Sequence, residues 1–150
     1  MNSTEDVAVP PLPVTSRVLC GCYAVIALVA LIATWSQNVA YLGRPANFLT
    51  DFVADVSATP GGRSFSADLV FLFLSASIFM VSEARRRGIR FVWAYVVLGL
   101  LIAISVTFPL FLIAREVRID RTGSPLRAVD VAGLVAVAAA SVALTVWILA

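Results

Sequence analysis

The sequence contains no histidine, no lysine and only two cysteines, and charged residues make up 13% of its 150 positions. Without histidine the chain has no imidazole base and no Ser-His-Asp triad of its own. Cys20 and Cys22 are two positions apart, so on a helix they point to different sides and form a poor metal pair. No glycine-rich phosphate loop and no paired-carboxylate signature is present. We therefore predict no catalytic, cofactor-binding or metal-binding residues.

Apolar side chains dominate the sequence instead, at 61% of all residues. An average soluble domain is about half apolar and about a quarter charged. A chain of this length cannot bury so much apolar surface in a core of its own, so the expected solvent is a bilayer. The net charge of only +2 gives no basic surface for nucleic acid. We expect a multi-pass protein of the inner (plasma) membrane, with lipid as one of its partners.

Four long apolar runs indicate membrane-spanning helices, because about 20 helical residues cross a hydrocarbon core of about 30 Å. The sequence therefore predicts an all-α integral membrane four-helix bundle. A flexible tail over residues 1–16, rich in proline, precedes a single transmembrane domain over 17–150. Pro109 lies inside the third run and predicts a kink or a wide turn there. The predicted helices cover about 18–36, 67–83, 91–114 and 128–149.

A fifth, shorter helix is predicted over about 47–57, in the first loop. Its phenylalanine, leucine and valine residues fall on one face, and Asp51 and Asp55 fall on the opposite face. This pattern is typical of an amphipathic helix that packs on a membrane surface or on neighbouring helices. The stretch TPGGRS, residues 59–64, predicts a turn after it.

The densest charge in the chain is SEARRRGIR, residues 82–90, between the second and third runs. Short arginine-rich loops stay on the cytoplasmic side, which predicts both termini in the cytoplasm and the 36–68 segment outside. The loop over 115–127 then lies outside, although it also contains four arginines. The charge rule alone does not decide the orientation, because the loops carry five arginines inside (Arg17, Arg85, Arg86, Arg87, Arg90) and six outside (Arg44, Arg63, Arg115, Arg118, Arg121, Arg127).

Four of these arginines are candidates for contact with anionic lipid head groups or with an acidic partner, since basic residues beside a membrane helix favour an anionic surface. The alternative is that they only determine topology. The four candidate arginines are Arg85, Arg86, Arg87 and Arg90.

Two further candidate surfaces are predicted. On the last run Ala132, Ala136 and Ala140 recur every fourth residue, a spacing that lets helix backbones approach closely and predicts a helix-packing face. Asn38 and Asp68, at the outer ends of the first two runs, form a candidate polar site.

Several short motifs resemble one protein family. They are W-x-x-N at 35–38, an aspartate that opens a helix at Asp68, E-x-R-R-x-G-I-R at 83–90 and F-P-L-F-L-I-A-R-E at 108–116. In order and spacing they are similar to small bacterial membrane proteins known only as domain of unknown function 2834. The resemblance covers roughly 18–116 and implies three helices that end soon after P-L-F-L. This chain departs from the pattern by its fourth helix and longer tail. The resemblance implies no activity.

Three hypotheses for function follow. The first is an accessory subunit that docks its small-residue face on a larger membrane protein or on a second copy of itself. The second is a small carrier or channel, acting as a homo-oligomer, with Asn38, Asp68 and the outer arginines at its mouth. The third is a membrane enzyme acting on lipid or isoprenoid, with Asp68 or Asp51 as its acid and Arg115 or Arg118 holding an anionic group.

Overall fold

The computed structural model describes residues 13–118 and 127–149, so most of the predicted tail over 1–16 lies outside the described residues. Over these ranges the chain is helical, which confirms the predicted all-α class. Two 3₁₀ turns, Val39–Gly43 and Pro45–Asn47, separate α1 from α2. The helices are α1 (Val14–Asn38), α2 (Phe48–Ser57), α3 (Pro60–Arg87), α4 (Val92–Leu101), α5 (Ile104–Glu116) and α6 (Ala128–Leu149).

Among the described residues, three helical segments are long and apolar enough to cross a bilayer: Val14–Gly43, Pro60–Arg87 and Ala128–Leu149. Even the shortest, with 22 residues, measures about 33 Å along its axis. The structure is therefore compatible with a membrane protein of three spans rather than four.

The predicted single helix over 91–114 is wrong, because the chain reverses direction inside it. α4 ends at Leu101, Ala103 is extended (φ 179°, ψ 141°), and α5 then runs back beside α4. The ring centroids of Tyr95 and Phe111 are 5.7 Å apart. One continuous helix would separate these residues by about 24 Å. We call α4 and α5 together the hairpin.

The turn of the hairpin does not use the proline that the sequence singled out. Pro109 lies buried within α5, several residues after the turn. At the turn itself, the Ile102 N–H donates to Leu98, and the Ala103 carbonyl accepts from Val106 and Thr107 at 3.1 and 3.2 Å. These bonds satisfy backbone groups that a broken helix would otherwise leave unpaired.

The start of α3 also differs from the prediction. Thr59 caps α3, since its Oγ1 accepts a hydrogen bond from the Gly62 N–H at 3.0 Å, and Pro60 occupies the first helical position. The predicted turn over 59–64 is thus the first part of α3, and Asp68 lies well inside the helix rather than at its start.

The core lies between α1, α3 and the hairpin, with α5 at its centre, in contact with all three other helices. Met80 of α3 and Phe111 of α5 are fully buried. α1 and α5 are antiparallel, because Ser16 at the start of α1 bonds to Glu116 at the end of α5. α3 and α5 both end at this same end of the molecule, where Glu83 contacts Arg115.

α6 takes no part in this core. None of its side chains is buried, and Ala132, Ala136 and Ala140 are all exposed. The predicted bundle of four spanning helices is therefore not formed within the described residues. What packs together instead is α1, α3 and the hairpin, with α2 beside the beginning of α3.

Candidate functional site

Most of the arginines in the described residues lie at one end of the molecule, and the hairpin returns Arg115 and Arg118 to it. α1 and α4 begin at this end, and α3 and α5 end at it. Arg118, just after α5, donates from Nη1 to the Gly88 carbonyl at the end of α3. We call this the arginine end, and it contains Arg17, Arg85, Arg86, Arg87, Arg90, Arg115 and Arg118.

Glu83 is the acidic centre of this end. Its side chain is almost fully buried, with the residue 7% exposed. Its Oε1 accepts from Nε of Arg87 at 2.6 Å and from Nε of Arg115 at 2.8 Å. The Arg115 guanidinium also lies 5.9 Å from the ring centroid of Phe79, within cation–π range. Charge-assisted bonds of this kind are stronger than neutral ones, so Glu83 joins α3 firmly to the returning helix of the hairpin.

A second contact joins α1 to the same end. The buried Ser16 hydroxyl donates to Oε1 of Glu116 at 2.8 Å. α1, α3 and the hairpin are therefore connected through polar side chains where their ends meet, and by apolar packing further along.

Of the four arginines predicted to contact lipid or a partner, the structure sets one apart. Arg87 is half-buried and paired with Glu83. Arg85, Arg86 and Arg90 are exposed, and none of them pairs with an acid among residues 13–118 and 127–149.

Arg85 and Arg90 lie on an open cleft of about 420 Å³ between the end of α3 and the start of α4. Gly88 (φ 62°) and Phe91 (φ 59°) both adopt the left-handed conformation, and these two bends form the short connection that shapes it. Arg86 does not line the cleft. The lining residues are Ala84, Arg85, Gly88, Ile89, Arg90, Phe91, Val92 and Trp93. The two arginines of this cleft can attract an anion, and its apolar side chains can contact a hydrocarbon group attached to that anion.

The opposite end has its own polar contacts. Arg44 lies 3.8 Å from Asp51 in an exposed ion pair, and the Tyr41 hydroxyl donates to Asp55 at 2.8 Å. These contacts hold α2 against the turns that follow α1. They engage Asp51 and Asp55, which lie on the face of α2 opposite its apolar side chains.

The structure forms no hydrogen bond between Asn38 and Asp68 among the described residues. Asn38 is half-buried at the end of α1, and Asp68 is exposed on α3. Asp68 is about 22 Å along α3 from Glu83, so it is far from Arg115 and Arg118 at the arginine end. The acid and the anion-holding arginine of the enzyme hypothesis are therefore not brought together.

Sequence reasoning did not identify the contact between Glu83 and Arg115. The spacing of Glu83 and Arg87 was a visible signal, since residues four apart on a helix are neighbours. Arg115 had no such signal, because its position depends on the reversal of the hairpin. Within the described residues, no three metal-ligating side chains come together.

One comparison with known proteins identifies the chain. The sequence model of the family described as "Protein of unknown function DUF2834" matches residues 22–117, which is more than half of the chain. Comparison with curated proteins and with solved structures gave no match. The matched region takes in most of α1, all of α2 and α3, and the hairpin, which are the elements that pack together, and it leaves out α6. The resemblance seen in the motifs is confirmed, and the chain belongs to this family of unknown function.

Proposed function

We propose that this chain is an inner (plasma) membrane protein in which α1, α3 and α6 cross the bilayer. The hairpin enters and leaves the membrane at the arginine end. The lengths and apolar surfaces of the three long helices support this placement. α4, with 10 residues, extends about 15 Å, so the hairpin reaches roughly the middle of a hydrocarbon core of about 30 Å.

The arginine end faces the cytoplasm in this proposal. Of the arginines within residues 13–118, seven lie at the arginine end and only two, Arg44 and Arg63, at the opposite end. This imbalance supports the orientation, since positive residues are retained on the cytoplasmic side. It arises because the hairpin returns Arg115 and Arg118 to that side. α6 then leads outward, so the C-terminus is outside and only the N-terminus is cytoplasmic, in contrast to the expectation from sequence.

Within the membrane the chain acts as an accessory subunit of a larger membrane complex. The observation that carries this proposal is α6. It is 22 residues long and strongly apolar, and it leaves all of its side chains outside the core that α1, α3 and the hairpin form. Its stripe of Ala132, Ala136 and Ala140 suits close backbone contact with a helix of another protein. It also lies outside the residues that the family model matches.

The test is a pull-down of the tagged full chain from its own membranes in mild detergent, with the copy number of each companion quantified by mass spectrometry. Ala136→Leu places a large side chain on the stripe, and Ala138→Leu places the same side chain on the opposite face of α6. We expect a stoichiometric membrane partner that is lost from the first variant and retained by the second. Recovery of the unaltered chain alone, as a monomer, contradicts the proposal.

A second candidate is a small carrier or channel formed by several copies, and Asp68 is the observation that favours it. This carboxylate is exposed on an apolar helix. Ionisable residues at membrane depth usually face a protein interior or a water-filled path. A symmetric oligomer in the same pull-down, with ion flux in vesicles that Asp68→Asn abolishes, selects this candidate. Vesicles that pass no tested ion or solute reject it.

A further inference from the structure

The arginines of the arginine end divide into two groups. Arg87 and Arg115 bond to the buried Glu83, and Arg118 bonds to the Gly88 carbonyl, so these three hold the fold together. The second group is exposed and has no acidic partner within the described residues: Arg17, Arg85, Arg86 and Arg90. Only two members of this second group, Arg85 and Arg90, line the cleft at the start of the hairpin.

The cleft combines this charge with apolar surface. Its floor is made by Ala84, Ile89 and Val92, which are buried. Its rim includes Phe91 and Trp93, which is 60% exposed. Exposed tryptophan is typical of the head-group level of a membrane, where one edge of the ring is wet and the rest is apolar.

An exposed apolar strip continues from the cleft along α4. Val97 and Leu100 follow Trp93 at intervals of four and three residues, so the three side chains lie on one face of the helix. Val97 and Leu100 are both exposed. In the proposed membrane placement this strip runs from the cytoplasmic surface toward the middle of the bilayer, beside the acyl chains of the same leaflet.

From these observations we infer that the cleft is a binding site for an anionic phospholipid. The lipid phosphate lies against Arg85 and Arg90, and the acyl chains lie along Trp93, Val97 and Leu100. Two cations without a nearby acid complement a net negative head group better than a zwitterionic one, and anionic lipids are abundant in the cytoplasmic leaflet. The apolar strip selects a lipid over a soluble anion. The inference rests on the proposed membrane placement.

The test compares two double variants of equal net charge. The full chain is purified in mild detergent from vesicles of phosphatidylglycerol and phosphatidylcholine in equal amounts, and retained lipid is counted by native mass spectrometry. We expect the unaltered chain to retain one phosphatidylglycerol in preference to phosphatidylcholine. Arg85→Gln with Arg90→Gln lowers that retention by about tenfold, whereas Arg17→Gln with Arg86→Gln leaves it nearly unchanged. Equal losses in the two double variants, or no preference in the unaltered chain, overturn the inference.

A second measurement needs no change to the arginines. Trp93 is left as the sole tryptophan by Trp35→Phe and Trp147→Phe, and its fluorescence is quenched by a small mole fraction of brominated phosphatidylglycerol or phosphatidylcholine. If phosphatidylglycerol occupies the cleft selectively, brominated phosphatidylglycerol quenches Trp93 more strongly than brominated phosphatidylcholine does. In a chain that keeps only Trp147, the two lipids should quench equally. Equal quenching of Trp93 by both lipids overturns the inference. Because vesicles present both leaflets, this result does not depend on the orientation of the chain, which maleimide labelling of single cysteines tests separately.

Discussion

Arg115, at the end of the hairpin, donates from Nε to Oε1 of Glu83 in α3 at 2.8 Å, although 32 positions separate the two residues in sequence. The same oxygen accepts from Arg87, one turn further along α3. Because Glu83 is buried and Arg115 is half-buried, neither charge has full access to water. This contact fixes the returning end of the hairpin beside the end of α3.

Replacing Glu83 by glutamine keeps the shape of the side chain and removes its charge. We expect Glu83→Gln to lower the free energy of unfolding by about 1–3 kcal/mol, because two half-buried guanidinium groups lose their counter-charge. Thermal unfolding in detergent, followed by circular dichroism, measures the change. Arg86→Gln, at an exposed arginine of the same end, is the control and should have little effect. Equal small effects of both substitutions contradict a structural role for the Glu83 contacts.

The pairing can be isolated with a double-mutant cycle. If Glu83 and Arg115 interact directly, Glu83→Gln combined with Arg115→Gln costs less than the sum of the two single substitutions. Additive effects in the same unfolding assay would mean that the two side chains act independently.

Gly99 permits the close contact between the two helices of the hairpin. A Cβ at this position would lie 2.8 Å from Oγ1 of Thr107 and 3.2 Å from Cε2 of Phe73. Gly99→Ala should therefore lower the free energy of unfolding by about 1–3 kcal/mol, the usual cost of overpacking. Gly133→Ala on α6, where a Cβ meets nothing within 4 Å, is the matched control and should be neutral or slightly stabilising. A destabilisation no larger than that of the control would contradict the close packing.

The adjacent pair Gly61 and Gly62 offers a similar comparison where α2 meets α3. A Cβ on Gly62 would collide with the backbone carbonyl oxygen of Val56, whereas a Cβ on Gly61 meets nothing within 4 Å. We expect Gly62→Ala to lower the midpoint of thermal unfolding and Gly61→Ala to leave it unchanged. The reverse order would show that α2 does not pack on α3 in this way.

The helical class and the family could be predicted from sequence because both depend on local signals. Long apolar runs and the motif around 83–90 are visible without knowledge of contacts. The reversal at Ala103 was not predictable in the same way, since neither glycine nor proline occupies residues 101–103 and hydropathy continues through them. The turn depends on tertiary packing instead, through Gly99 against Thr107 and the ring contact between Tyr95 and Phe111.

The arginine end also has some features that the sequence predicts and others that depend on the reversal of the hairpin. The exposure of Arg85 and Arg90 matches what a surface charge cluster suggests. Arg87 is half-buried because it shares Glu83 with Arg115. The position of Arg115 follows only from the reversal of the hairpin. The charge imbalance between the two ends was not visible in the sequence either. A continuous third span would assign Arg115 and Arg118 to the opposite side of the membrane.

Cysteine labelling tests whether the chain reverses at Ala103 and returns residue 117 to the arginine end. In a chain with Cys20→Ser and Cys22→Ser, single cysteines replace Arg86, Val117 or Ala58, all exposed positions. A membrane-impermeant maleimide is applied to intact spheroplasts and to inverted vesicles. We expect the cysteines at 86 and 117 to react only in inverted vesicles and the cysteine at 58 only in spheroplasts. Labelling of residue 117 from the same side as residue 58 would show that residues 91–114 cross the membrane, and would contradict the reversal at Ala103.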